Sequence, residues 1–145
     1  MNKTELQIKL GDATEKFIVK GLKNYGYWVY NFPKKASGQP CDIVAIKGGK
    51  SYLVWLIDAK HVEEDIVSFT FNRIEANQIS SMNYAYNYAK FNIDNLGFCI
   101  FFARDKQLRW FPFKDYLFMN NMGKKSVNMN ELKLFTEVLN DASCD

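Results

Sequence analysis

Two acids and one amine stand out by type and spacing: Asp42, Asp58 and Lys60. Asp58 and Lys60 are two residues apart at the far end of the apolar run 53–60, so on a strand they project from one face. An acid and an ammonium there are costly unless they pair or hold a metal. Asp42 opens a shorter apolar run that turns at Gly48 and Gly49 into the longer one. Two or three converging carboxylates give a Mg²⁺ ion the hard oxygen ligands it prefers. Such an ion polarises a phosphate and acidifies a bound water. The lysine ammonium can orient that water and offset the charge that grows on phosphorus. This is the chemistry of phosphodiester hydrolysis, which needs no protein nucleophile.

The elements that must position these groups can be read from the same stretch. Residues 41–60 are rich in Val, Ile, Trp and Tyr between turn signals, which marks two paired strands. Leu53, Trp55 and Ile57 alternate with Val54 and Leu56, so both faces are apolar and the strand belongs inside a sheet. Register then decides whether a site exists. A two-residue turn at Gly48 and Gly49 places Asp42 opposite Trp55, on the wrong face. A three-residue turn that includes Lys50, or a bulge, pairs Asp42 with Leu56 and sets it diagonally beside Asp58. The longer turn, or one extra bulged residue, is therefore expected. An acid-x-lysine triplet alone is weak: Glu131, Leu132 and Lys133 form a second, read onto a helix.

Upstream, Asp12 and Glu15 have capping-box spacing and predict a helix from there to Asn24, stopping near Gly26. Glu15 lies at the edge of the stripe Ile18, Val19 and Leu22, either as a capping carboxylate or as an acid aimed at a site. Residues 27–32 read as a strand. They lead into a basic, proline-bounded loop in which Lys34 and Lys35, with Ser37, can meet phosphates. Downstream come a solvated acidic run with His61 exposed beside it, a helix from about Glu75, strands at 96–103 and 107–113, a short helix at 114–121 and a terminal helix at 130–139. The order predicts an α/β domain with a mixed central sheet flanked by helices. Trp28, Trp55 and Trp110 each sit in a strand pattern and are expected in the core.

Size and composition bound the rest. At 145 residues, 48% hydrophobic and 16% aromatic, the chain reads as one folded domain over residues 1–145, with an acidic tail from about residue 140. No apolar run is long enough for a membrane span and no signal peptide is evident, so a cytoplasmic protein without a membrane partner is expected. Cys41, Cys99 and Cys144 have no metal-ligand spacing and read as free thiols. Net charge is only +3, but Lys16, Lys20, Lys23, Lys34 and Lys35 fall in residues 16–41, which hold no acid. A polyanion partner fits that distribution, as does a merely solvated lysine face. One histidine cannot build a histidine-dependent metal cluster, and no glycine-rich phosphate loop or Ser-His-Asp set is present.

At Pro40-Cys41-Asp42 and Asp58-Ala59-Lys60, with Glu15 upstream, the chain resembles the PD-(D/E)xK nuclease superfamily. Within it, Ser68-Phe69, Phe71-Asn72-Arg73-Ile74 and Asn77-Gln78-Ile79 resemble the RecU-type Holliday-junction resolvases. In those, a Ser-Phe after the catalytic strand leads into a helix that opens with His-Gln. The resemblance implies a restriction-endonuclease-like core and an endodeoxyribonuclease dependent on Mg²⁺, with Mn²⁺ able to substitute. It implies a homodimer that nicks two strands of a four-way junction in recombination and repair. Carried over residue by residue, Asp42, Asp58 and Glu15 bind metal, Lys60 assists the water, Gln78 completes the site and Arg73 contacts DNA. Cys41 splits the family's Pro-Asp pair, Asn77 stands in place of its histidine, and there is no long insertion for a junction-entering stalk. The compact layout resembles archaeal-type and phage-encoded resolvases, which need no stalk. Two alternatives are another endonuclease of this fold, restriction-like or from a mobile element, and a DNA-binding module that does not cut.

Overall fold

The first helix is longer than its internal signals predict. In the computed structural model, which describes residues 2–33, 41–88 and 93–142, helix α1 spans Lys3–Asn24. Asn2 is the N-cap: its Oδ1 accepts from the Glu5 N–H at 2.8 Å, and its Nδ2 donates to Glu5 Oε1 at 3.2 Å. Asn2 and Glu5 thus form the reciprocal cap expected at Asp12 and Glu15, and Asp12 lies mid-helix. The helix stops where predicted, with Gly26 in the left-handed region at φ +87.

Strands β1 (Trp28–Asn31), β2 (Ile43–Lys47) and β3 (Leu53–Val62) follow as an antiparallel meander. Next come β4 (Ser68–Thr70), α2 (Ala76–Tyr88), β5 (Leu96–Phe102), β6 (Gln107–Pro112) and α3 (Phe113–Asn121). The chain ends with β7 (Ser126–Asn128), β8 (Lys133–Leu134) and α4 (Phe135–Asp141). The main sheet has the order β1-β2-β3-β5-β6-β8, and β4 pairs β7 in a small second sheet. Only the central β3–β5 pair is parallel, so the sheet is mixed. Three short strands depart from the sequence reading. Residues 130–139 are not one helix, because β8 adds to β6 before α4 begins; Glu131 and Lys133 therefore do not share a helix.

Two apolar clusters sandwich the sheet. On one face, Ile18 and Leu22 of α1 and Phe135 and Leu139 of α4 cover Ile43, Ala45, Trp55, Ile57, Cys99 and Trp110. Trp55, Trp110 and Phe135 meet ring to ring at 5.2 to 5.9 Å, contacts that add about 0.5–1.5 kcal/mol each beyond area burial. On the other face, Val62, Phe98, Ile100, Phe102 and Phe111 pack with Phe69, Phe71, Met82 and Tyr116. Trp28 departs from expectation: it is 61% exposed, because β1 is an edge strand with one uncovered face.

Candidate active site

Register places the acids. The β2–β3 ladder pairs Ile43 with Ile57 and Lys47 with Leu53, so the connection spans 48–52 rather than the shorter turn expected. The difference is an even number of residues, and side chains alternate with period two, so the face is preserved. Asp42 lies one residue before the paired stretch and close enough to Asp58 for its charge to act on that carboxyl. The Asp42 N–H donates to the Ile57 carbonyl at 3.1 Å, and Asp42 Oδ2 accepts from the Ala59 N–H at 2.9 Å. Asp58 and Lys60 face the same side, their parallel partners being Phe98 and Ile100 of the second cluster. β3 runs on to Val62, so both groups sit inside the strand rather than at its end.

Asp58 is 1% exposed, and its Oδ2 has no hydrogen-bond partner among the described residues. Burial, then the charge of Asp42, push its carboxyl up to about 7, with Lys60 pulling the other way. The same burial pushes the neighbouring Cys41 thiol up to about 12. Lys60 is lowered from its ordinary value, chiefly by burial, against the attraction of Asp58, Asp42 and Glu75.

The amine is held from α2. Lys60 Nζ donates to Gln78 Oε1 at 2.9 Å and to the Arg73 carbonyl at 3.3 Å. Gln78 is the third residue of α2, and the same Oε1 accepts the Glu75 N–H at 3.1 Å, half of a capping box. Both partners are donors, so the amide must present oxygen to both. The helix start thus fixes where the ammonium sits. Glu75 is a charge near Asp58 and Lys60 that the sequence reading used only to begin a helix; its place three residues before Gln78 was the available signal.

Arg73 flanks the site: its guanidinium donates to the His61 carbonyl and lies 5.5 Å from the Phe69 ring centroid. His61 is half-buried on β3 rather than exposed, with Nε2 2.8 Å from Gln7 Oε1. Glu15 is 3% exposed on α1, which packs on the opposite face of the sheet from Asp58 and Lys60. Because Asp12 is not a cap, the capping reading of Glu15 falls. Lys34, Lys35 and Ser37 lie outside the described residues. The structure therefore gathers Asp42, Asp58, Lys60 and Gln78, with Arg73 and Glu75 at the margin. Among the described residues no group of three His, Cys, Asp or Glu side chains is arranged to hold a metal ion, and no helix is long and apolar enough to cross a membrane.

No family model matches the sequence, and no curated protein matches it. Solved structures do. A Holliday junction resolvase, Hjc of Archaeoglobus fulgidus, superposes with a TM-score of 0.61 at 19% identity, over 89% of this chain and 99% of that one. D212, a nuclease from a fusselovirus, gives a TM-score of 0.51 at 12% identity, over 96% and 91%. The chain has the restriction-endonuclease-like α/β fold, shared with nucleases of the PD-(D/E)xK type.

Proposed function

We propose that this protein is a metal-dependent DNA endonuclease acting on branched DNA, with a Holliday-junction resolvase as the leading assignment. The observation that carries the reading is the buried Asp58 oxygen without a hydrogen-bond partner, beside Asp42 and on the face of Lys60. A buried carboxylate in that state is costly in an isolated protein. It becomes reasonable if the oxygen is kept for a cation. Two carboxylates are a hard donor set that fits Mg²⁺, or Mn²⁺ in its place. Asp42 and Asp58 would hold the ion, while Glu15 lies on the helix across the sheet. When bound, the ion would supply Lewis-acid polarisation of the phosphate and acidification of water.

This chain's own groups supply the remainder. Gln78 and the Arg73 carbonyl fix the Lys60 ammonium, so it can donate a hydrogen bond to the attacking water or to a phosphate oxygen without reorganising. Arg73, with Lys34, Lys35 and Ser37, would contact the DNA backbone and set its position. A homodimer would give two such sites, one for each nicked strand.

A synthetic four-way junction and a linear duplex of the same sequence, each incubated with Mg²⁺ and the wild type or Lys60→Ala, test the assignment. Preferred cutting of the junction, lost with the lysine, is expected. Equal cutting of both substrates returns the protein to a general endonuclease of this fold. Cutting that survives Lys60→Ala removes the mechanism, and no cutting with intact binding leaves a DNA-binding module.

A further inference from the structure

Strands β1, β2 and β3 present ranked side chains on the face that carries Asp42 and Asp58. Register aligns Trp28 with Ile46 and Val54, then Tyr30 with Val44 and Leu56. One step on, the Phe32 N–H donates to the Asp42 carbonyl at 2.9 Å, which sets Phe32 beside Asp42. An aromatic row thus runs along the edge strand and ends beside the acids. Its rings touch in sequence: Trp28 and Tyr30 at 6.4 Å, Tyr30 and Phe32 at 5.0 Å. Trp28 is 61% and Tyr30 40% exposed. Large aromatics on an open edge are an aggregation liability unless something uses them.

Charge says what does. Residues 16–41 carry five lysines, Lys16, Lys20, Lys23, Lys34 and Lys35, and no acid. Lys16, Lys20 and Lys23 of α1 line a groove of about 440 Å³ with Asn31, the β1 residue that points to the other side of the same edge. A second copy docking here about a two-fold axis would bring these lysines against themselves. A nucleic-acid strand would bring phosphates to the lysines and bases to the rings.

We propose that Trp28, Tyr30 and Phe32 form a stacking platform for unpaired bases next to the scissile phosphate. The substrate would then be DNA in which a single strand meets a duplex, not an uninterrupted duplex. This rests on the nuclease reading and, within branched DNA, favours a substrate with a single-stranded arm over the fully paired four-way junction. Every base has a π-face, so such a platform recognises unpairing rather than sequence.

The test is binding without divalent metal, in EDTA, which does not depend on cutting. The probes are a splayed-arm duplex with oligothymidine arms, single-stranded oligothymidine and a blunt duplex. Trp55 and Trp110 are buried, so Trp28 dominates the solvent-accessible tryptophan fluorescence. Quenching by the splayed and single-stranded probes, but not by blunt duplex, is expected. Trp28→Ala combined with Tyr30→Ala should weaken splayed-arm binding by roughly tenfold or more and blunt-duplex binding by less than about twofold. Trp28→Phe should retain most of the affinity. Equal losses on both probes, or no loss, would overturn the proposal. So would a dimer turning to monomer with DNA affinity unchanged, which would assign the face to a second copy. Failure of Mg²⁺-dependent cutting with selective binding intact would instead strike only the nuclease reading.

Discussion

Asp58→Asn should make the metal-free protein more stable while removing its nuclease activity. The carboxyl titrates near 3.8 in an unfolded chain and is pushed up to about 7 in the folded one, by burial and by Asp42. The native state therefore binds its proton more tightly than the unfolded state does, and stability falls as pH rises between those values. The penalty is absent below about pH 3.8, where both states hold the proton, and complete above about 7, where neither does. At about 1.4 kcal/mol per tenfold step, that interval corresponds to about 4 kcal/mol at pH 8, an upper bound that relaxation around the pair reduces. Asparagine keeps the shape and never ionises, so the variant escapes the penalty. Urea denaturation in EDTA at pH 4.5 and pH 8 measures it. A gain of about 1–4 kcal/mol at pH 8 that shrinks at pH 4.5 is expected. An asparagine variant less stable than wild type at pH 8, or a gain independent of pH, would refute the reasoning, since Asp58 would then be a satisfied structural group.

Lys60→Ala should lower the cleavage rate by roughly 10²–10³-fold with little change in DNA affinity, read from single-turnover rates and a binding titration. Gln78→Ala strips the oxygen that holds both Lys60 and the Glu75 N–H; roughly 10- to 100-fold lower activity and a loss of about 1 kcal/mol in urea stability are expected. The cleavage rate should rise with pH through about 7 as Asp58 gives up its proton, and raising Mg²⁺ should move that limb to lower pH, because metal and proton compete for the same oxygens. Gly97→Ala should destabilise by about 3 kcal/mol or more, since a Cβ there would lie 2.4 Å from the Phe111 carbonyl oxygen and 2.9 Å from the Phe113 nitrogen, both backbone atoms; equilibrium unfolding reads it.

The chemistry was more legible than the architecture around it. Asp42, Asp58 and Lys60 were found because charged groups in apolar strands are anomalous, and their common face survived an underestimated loop because strand faces repeat every two residues. Gln78 was legible only through the family resemblance; its spacing from Glu75 signals the cap of α2 but not that the same amide oxygen holds Lys60. The start of α1 was misplaced because Asp12 and Glu15 have capping-box spacing mid-helix, whereas Asn2 and Glu5 cap the helix further upstream. Trp28 was read as core because alternation looks alike on an edge strand and a central one; only sheet order shows which face is covered. The strands β4, β7 and β8 span at most three residues each, too few for a period to emerge.

The central claim is that Asp42 and Asp58 together hold a divalent ion. Calorimetric titration of Mn²⁺ into metal-free wild type, Asp42→Asn and Asp58→Asn at pH 8 tests it most directly. Saturable binding by the wild type that is lost in both variants is the predicted result. Binding unchanged in either variant, or no binding by a wild type that still cuts DNA, would contradict it.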